Sequence, residues 1–95
     1  MDATTKLTKE LQVTNRCGVH ARVSTMLAQK AKEFTSSIQL QKGRSIADCR
    51  SVLDLLSLGA HHGEVLQLEV TGADAAAAMA AITALFDARF FEDEE

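Results

Sequence analysis

From Leu7 onward the chain alternates: Leu7, Leu11 and Val13 fall on one side of a period of two, Thr8, Glu10, Gln12 and Thr14 on the other, and Lys9 interrupts the apolar side. Successive strand residues point to opposite faces, so this pattern predicts a strand with one buried face. Asn15-Arg16-Cys17-Gly18 breaks it. From about Ala21 to Phe34 the apolar positions Val23, Met26, Leu27, Ala31 and Phe34 recur at helical spacing, with Arg22, Gln29, Lys30, Lys32 and Glu33 on the other faces. That predicts an amphipathic helix. Ile38 and Leu40 alternate with polar neighbours up to the turn signal Lys42-Gly43, and Ser45-Ile46-Ala47 can return as a partner strand.

Ser51, three residues before Asp54, matches a capping box, so a short helix should run to Leu58 and stop at Gly59. On it Val52, Leu55, Leu56 and Gly59 share one face, and Leu53 lies off that face, toward solvent. Leu66, Leu68 and Val70 predict a last strand, and Asp74 to Ala88 a final helix packed by Met79, Ile82 and Phe86. The order β-α-β-β-α-β-α suits an α+β fold, an open-faced two-layer β-sandwich with helices on one sheet face and water on the other.

Composition narrows the function. With 95 residues, 46% hydrophobic and 24% charged, residues 1–95 should form a single domain with one core and little enclosed volume, so its chemistry belongs on the surface. The acidic tail, residues 92–95, should be solvated. A formal charge of −3 and a pI near 5.5 argue against nucleic acid as partner. The chain has no apolar run of about 20 residues and no apolar secretory signal, which predicts a cytoplasmic protein without membrane insertion. Cys17 and Cys49 lack CxxC spacing and read as reduced, buried or half-buried thiols, and His61-His62 read as loop residues. No metal or cofactor is expected from these spacings.

The informative segment is Asn15-Arg16-Cys17-Gly18-Val19-His20-Ala21-Arg22-Val23. A glycine-containing loop delivers a histidine to the first turn of a helix, and an arginine follows two residues later. Position 20 carries none of the usual caps, Ser, Thr, Asp or Asn, so the first helical amides should stay free to bind an anion. Imidazole is a nitrogen nucleophile largely neutral near physiological pH, and its N-phosphoryl form can pass the group on. Arg22 can neutralise phosphoryl oxygens with its planar fork of donors. The three together could act as a phosphoryl station.

Gly-Val-His-Ala-Arg, then Arg50-Ser51-Val52-Leu53-Asp54-Leu55-Leu56-Ser57-Leu58-Gly59 and Leu-Gln-Leu-Glu-Val-Thr-Gly, resembles the histidine-containing phosphocarrier protein (HPr) family of the phosphoenolpyruvate-dependent phosphotransferase system. The resemblance covers nearly the whole chain. It implies a four-stranded antiparallel sheet with three helices on one face, in a phosphocarrier rather than an enzyme with a reaction of its own. It further implies His20 as the phosphohistidine, bonded through Nδ1, with Arg22 as its electrostatic partner. The donor would be enzyme I and the acceptors IIA-type proteins of sugar transport. Thr25, Arg50, Val52 and Leu53, beside Arg22, would form the partner-binding surface of a monomer. Ser51 matches a regulatory phosphorylation position, served by an HPr kinase/phosphorylase.

Val23 departs from the family, which usually has proline after the arginine. Valine gives up the pre-set φ of proline, worth up to about 1 kcal/mol, and adds an N–H donor. Residues Ala84 to Asp93 resemble the acidic, phenylalanine-bearing ending of the nitrogen-branch (NPr-like) paralogue, so a regulatory phosphocarrier not coupled to sugar uptake is the alternative.

Overall fold

The computed structural model describes residues 5–92. Its elements run β1 (Lys6–Gln12), α1 (Ala21–Ala31), β2 (Ser37–Lys42), β3 (Ser45–Asp48), α2 (Val52–Leu58), β4 (Val65–Thr71) and α3 (Ala75–Asp87), followed by one short turn over Arg89–Phe91. The fold is α+β: a four-stranded antiparallel open sheet in the order β1-β4-β2-β3, with three helices.

The alternation read from the sequence is what buries one sheet face. Leu66, Leu68 and Val70 of β4 are fully buried, whereas the intervening Val65 and Gln67 are exposed. In register, Leu11 stands opposite Leu66, and Leu40 lies between Leu68 and Ala47. Val23 and Leu27 of α1, Leu55 of α2 and Ile82 of α3 complete the core at 0% exposure. Burying such an aliphatic side chain contributes roughly 1.5–3 kcal/mol before the entropic cost of ordering it.

Three boundaries and faces differ from the sequence reading. β1 ends at Gln12 rather than Thr14, because the Val13 amide bonds instead to the Glu64 carbonyl. α1 ends at Ala31, not Phe34. The amides of Lys32, Glu33 and Phe34 close back on the last turn, and those of Thr35 and Ser36 bond to the Asp74 carboxylate. On α2 the buried residues are Leu55 and Leu58; Leu56 is 41% exposed, and Leu53 is 73% exposed as expected. A seven-residue helix turns only two i, i+3 positions fully inward, and Leu56 lies a quarter turn off that line.

Candidate functional site

The loop before α1 is fixed from two sides. Gly18 has φ +70°, a left-handed conformation that favours glycine, and a Cβ there would lie 2.7 Å from the Ala60 carbonyl oxygen. The neighbouring Val19 amide donates to that same oxygen at 3.0 Å. Asn15, fully buried, donates from Nδ2 to the Gly18 carbonyl at 2.8 Å. The 15–18 loop is thereby pinned to the chain after α2, and His20 follows as the N-cap of α1.

His20 caps the helix with its own ring. Its Nδ1 accepts a hydrogen bond from the Arg22 amide at 3.3 Å, which corrects the expectation that position 20 supplies no acceptor. An imidazole nitrogen does here what an Asn or Ser oxygen does elsewhere. The bond is long, and it sets the Arg22 amide of the first turn at Nδ1, at the positive end of the helix dipole. Val23 is fully buried in the same first turn, so its side chain serves the core.

The opposite ring nitrogen faces a residue that the sequence reading left in solvent. Glu92 turns inward, with its side chain only 10% exposed, and places Oε2 3.0 Å from His20 Nε2. It also accepts from Asn15 Nδ2 at 2.8 Å and from the Cys17 amide at 3.4 Å, and its Oε2 lies 3.6 Å from Arg22 Nη2. Burial raises the Glu92 carboxyl, but the bonds from Asn15, His20 and the Cys17 amide together outweigh it and hold the group below its ordinary value. The expectation of a solvated tail therefore fails at Glu92. Residues 93–95 lie outside the described residues.

The turn that brings Glu92 back has φ of 54°, 52° and 58° at Arg89, Phe90 and Phe91, the only positive-φ residues other than glycine among those described. Left-handed backbone costs a non-glycine residue roughly 1–2 kcal/mol. Phe90 offsets this by burying completely, its ring edge-on to Phe86 with centroids 4.9 Å apart. Phe91 and Glu92 wall one side of a shallow hollow of about 360 Å³ whose lining also includes Arg16, Cys17, His20 and Arg22. A larger hollow of about 640 Å³, between β1 and the end of α3, contains neither histidine nor cysteine.

The other sequence candidates fall into two groups. Thr25 is exposed and bonds through Oγ1 to the Ala21 carbonyl; Leu53 is exposed and Val52 half-buried on the adjoining α2. Arg50 is otherwise engaged, since its guanidinium donates to the carbonyls of Phe34 and Ser36 and ties α2 to the start of β2. Ser51 caps α2 through its Oγ, which accepts from the Asp54 amide at 3.1 Å. The capping box is one-sided, because the Asp54 carboxylate turns to the Asp48 amide.

Cys49 is buried and its thiol is pushed up to about 12, chiefly by burial and secondarily by Asp48, whereas Cys17 is exposed. Cys17, His20 and Glu92 bring ligand atoms within 4.8 Å of one another, a grouping that sequence spacing does not reveal. Arg16 and Arg22 line the same hollow, and their positive charges oppose a cation there. His62 lies beside this region, its Nδ1 3.3 Å from the Asn15 carbonyl oxygen, and His61 pairs with Glu64 in the exposed loop.

The chain that carries this imidazole and guanidinium is similar to known proteins over nearly its whole length. The family model described as "PTS HPr component phosphorylation site" matches residues 7–88. The chain belongs to the HPr family. Phosphocarrier protein NPr of Shewanella violacea is 43% identical over 88 residues, covering 93% of this chain and 97% of that protein. Phosphocarrier protein HPr of Neisseria meningitidis serogroup A is 38% identical over 88 residues, covering 93% and 99%. Among solved structures, HPr-C-His from Thermoanaerobacter tengcongensis superposes with a TM-score of 0.87 at 29% identity, covering 92% of this chain and 98% of that one. The chain is thus an HPr/NPr-type phosphocarrier of the phosphotransferase system. Glu92 lies outside the span that matches the family.

Proposed function

We propose that this chain, acting as one domain, accepts a phosphoryl group on Nδ1 of His20 from phosphorylated enzyme I and passes it to IIA-type proteins. The observation that carries this reading is the placement of Nδ1 at the N-terminus of α1, where the Arg22 amide already points at it. A phosphoryl group on that nitrogen would meet the α1 amides and the helix dipole, and Arg22 could exchange the Glu92 carboxylate for phosphoryl oxygens. Catalysis of this kind is mostly positioning and charge neutralisation, which suits a rigid helix start more than a deep cavity.

The partner surface in this reading comprises Thr25 on α1 with Val52 and Leu53 on α2. Leu53, exposed to 73%, offers an apolar anchor to a partner. Arg50 contributes by fixing α2 rather than by contact. The reading also implies a cytoplasmic monomer. Ser51 phosphorylation by an HPr kinase/phosphorylase would be its regulatory arm: the phosphate would bring nearly two negative charges beside Val52, Leu53 and the Asp54 carboxylate.

The nitrogen-branch reading shares this chemistry, and the 43% identity to an NPr favours keeping it as the second reading. One experiment tests both. The protein is incubated with phosphoenolpyruvate and the enzyme I of either branch, wild type beside His20→Ala. The expected outcome is an acid-labile, base-stable mass gain of one phosphoryl group that His20→Ala abolishes. Absence of label from both enzymes overturns the carrier reading, and label from only one of them assigns the branch.

A further inference from the structure

We infer that Glu92 is a positioning residue for phosphoryl transfer: its carboxylate holds the His20 ring in the Nε2-protonated tautomer, which leaves the Nδ1 lone pair available to phosphorus. The inference rests on the carrier reading above and specifies how the imidazole is made ready.

Two neighbours dictate the same tautomer from opposite sides of the ring. Nδ1 faces a backbone N–H, which only an unprotonated nitrogen can accept. Nε2 faces a carboxylate oxygen at 3.0 Å, which calls for an N–H. A histidine's reactive nitrogen is commonly set by what the other nitrogen bonds to. Glu92 is itself held, by Asn15 Nδ2 and the Cys17 amide, and is mostly withdrawn from water. The left-handed backbone at Arg89, Phe90 and Phe91 shows the chain adopting an unfavoured conformation on its way to this contact. Such conformations persist where the surroundings over-determine them, and they cluster at functional sites.

The transfer step balances without a free proton. The Nδ1 lone pair forms the N–P bond while the bond from phosphorus to the donor's leaving atom breaks, and that electron pair returns to the donor. Nε2 keeps its proton. The ring becomes a phosphoryl-imidazolium cation, and the Glu92 anion already stands opposite it. Delivery to an acceptor runs the same step in reverse, so the carboxylate acts in both directions. Arg22 and Glu92 then divide the charge: the guanidinium meets the phosphoryl oxygens and the carboxylate meets the ring.

The test compares the full chain with Glu92→Gln and Glu92→Asp. In the unphosphorylated proteins, ¹⁵N shifts of the neutral His20 ring should show the Nε2-protonated tautomer in wild type and Glu92→Asp and a mixed population in Glu92→Gln. A charge-assisted bond is about twice as strong as a neutral one, so phosphoryl uptake from phosphoenolpyruvate and enzyme I should slow about five- to tenfold in Glu92→Gln and recover in part in Glu92→Asp. Wild type that takes label, with Glu92→Gln equal in both tautomer and rate, overturns this inference and leaves the carrier reading intact. Faster uptake by Glu92→Gln also overturns it, since the carboxylate would then be a plug over Arg22. Wild type without label removes the carrier reading and with it the transfer role of Glu92.

Discussion

The carboxylate of Asp74 holds Ser36 twice, accepting from its backbone amide at 2.9 Å and from its hydroxyl at 2.5 Å. The same carboxylate takes the Thr35 amide, so the start of α3 is tied to the turn between α1 and β2. The Ser36 hydroxyl first, and the Thr35 and Ser36 amides with it, lower the Asp74 carboxyl from 3.8 to about 2. Between those values the unfolded chain binds more protons than the folded one. The stabilisation is therefore complete above about pH 4 and is lost as pH falls through about 2. Asp74→Asn should unfold at lower urea than wild type near neutrality, and the gap should close as pH falls. Urea midpoints at stepped pH measure this; a gap that stays constant down to pH 2 would refute it.

Gly18 supports His20 from below. Alanine there meets the Ala60 carbonyl oxygen at 2.7 Å and adopts a left-handed φ of +70°. Gly18→Ala should cost about 2 kcal/mol of stability, read from denaturant midpoints, and should slow phosphoryl uptake by moving the loop. Unchanged stability would mean that the loop has room to shift away from residue 60.

The two kinds of leucine on α2 should separate folding from docking. Leu55→Ala, in the core, should cost about 2–5 kcal/mol. Leu53→Ala removes a side chain 73% exposed and should change stability by less than about 0.5 kcal/mol, while raising the apparent KM for this protein in the enzyme I reaction. An unchanged KM would take Leu53 out of the partner surface.

The two thiols should react on different timescales. Cys17 is exposed, whereas Cys49 is buried with its thiol at about 12. Iodoacetamide at pH 8 should label Cys17 in the native protein and reach Cys49 only after unfolding, since the thiolate is the nucleophile. Mass spectrometry of partly alkylated protein decides the order, and equal labelling of both residues would contradict the packing around Cys49.

What the sequence made legible was governed by local periodicity. The alternation of Leu66, Leu68 and Val70, the Ser51 cap and the Gly59 stop are each decided within a few residues, and the structure places them as read. The end of α1 was not legible, because what ends it includes the Asp74 carboxylate, nearly forty residues away. Glu92 was missed for a related reason. Its partner His20 lies 72 residues earlier, and the turn between helix and contact uses Arg89, Phe90 and Phe91, none of which signals left-handed backbone. The one available clue was Phe90 after an apolar helix, since an aromatic ring there gains by turning back onto the core, as Phe90 does while Phe91 stays exposed. That His20 caps its own helix was likewise hidden, because histidine is not among the residues that normally announce a cap.

The strand order β1-β4-β2-β3 has a consequence for how the chain is born. β4 lies between β1 and β2 and pairs with both, yet it is the last strand to be synthesised. On the ribosome β1 has no neighbour until residues 65–71 emerge, and only the β2–β3 hairpin can close by itself. Long-range pairing of this kind pays its loop entropy before any reward, so assembly of the sheet waits on its final strand. Mutations in β4 should therefore slow folding more than equally destabilising ones in β3.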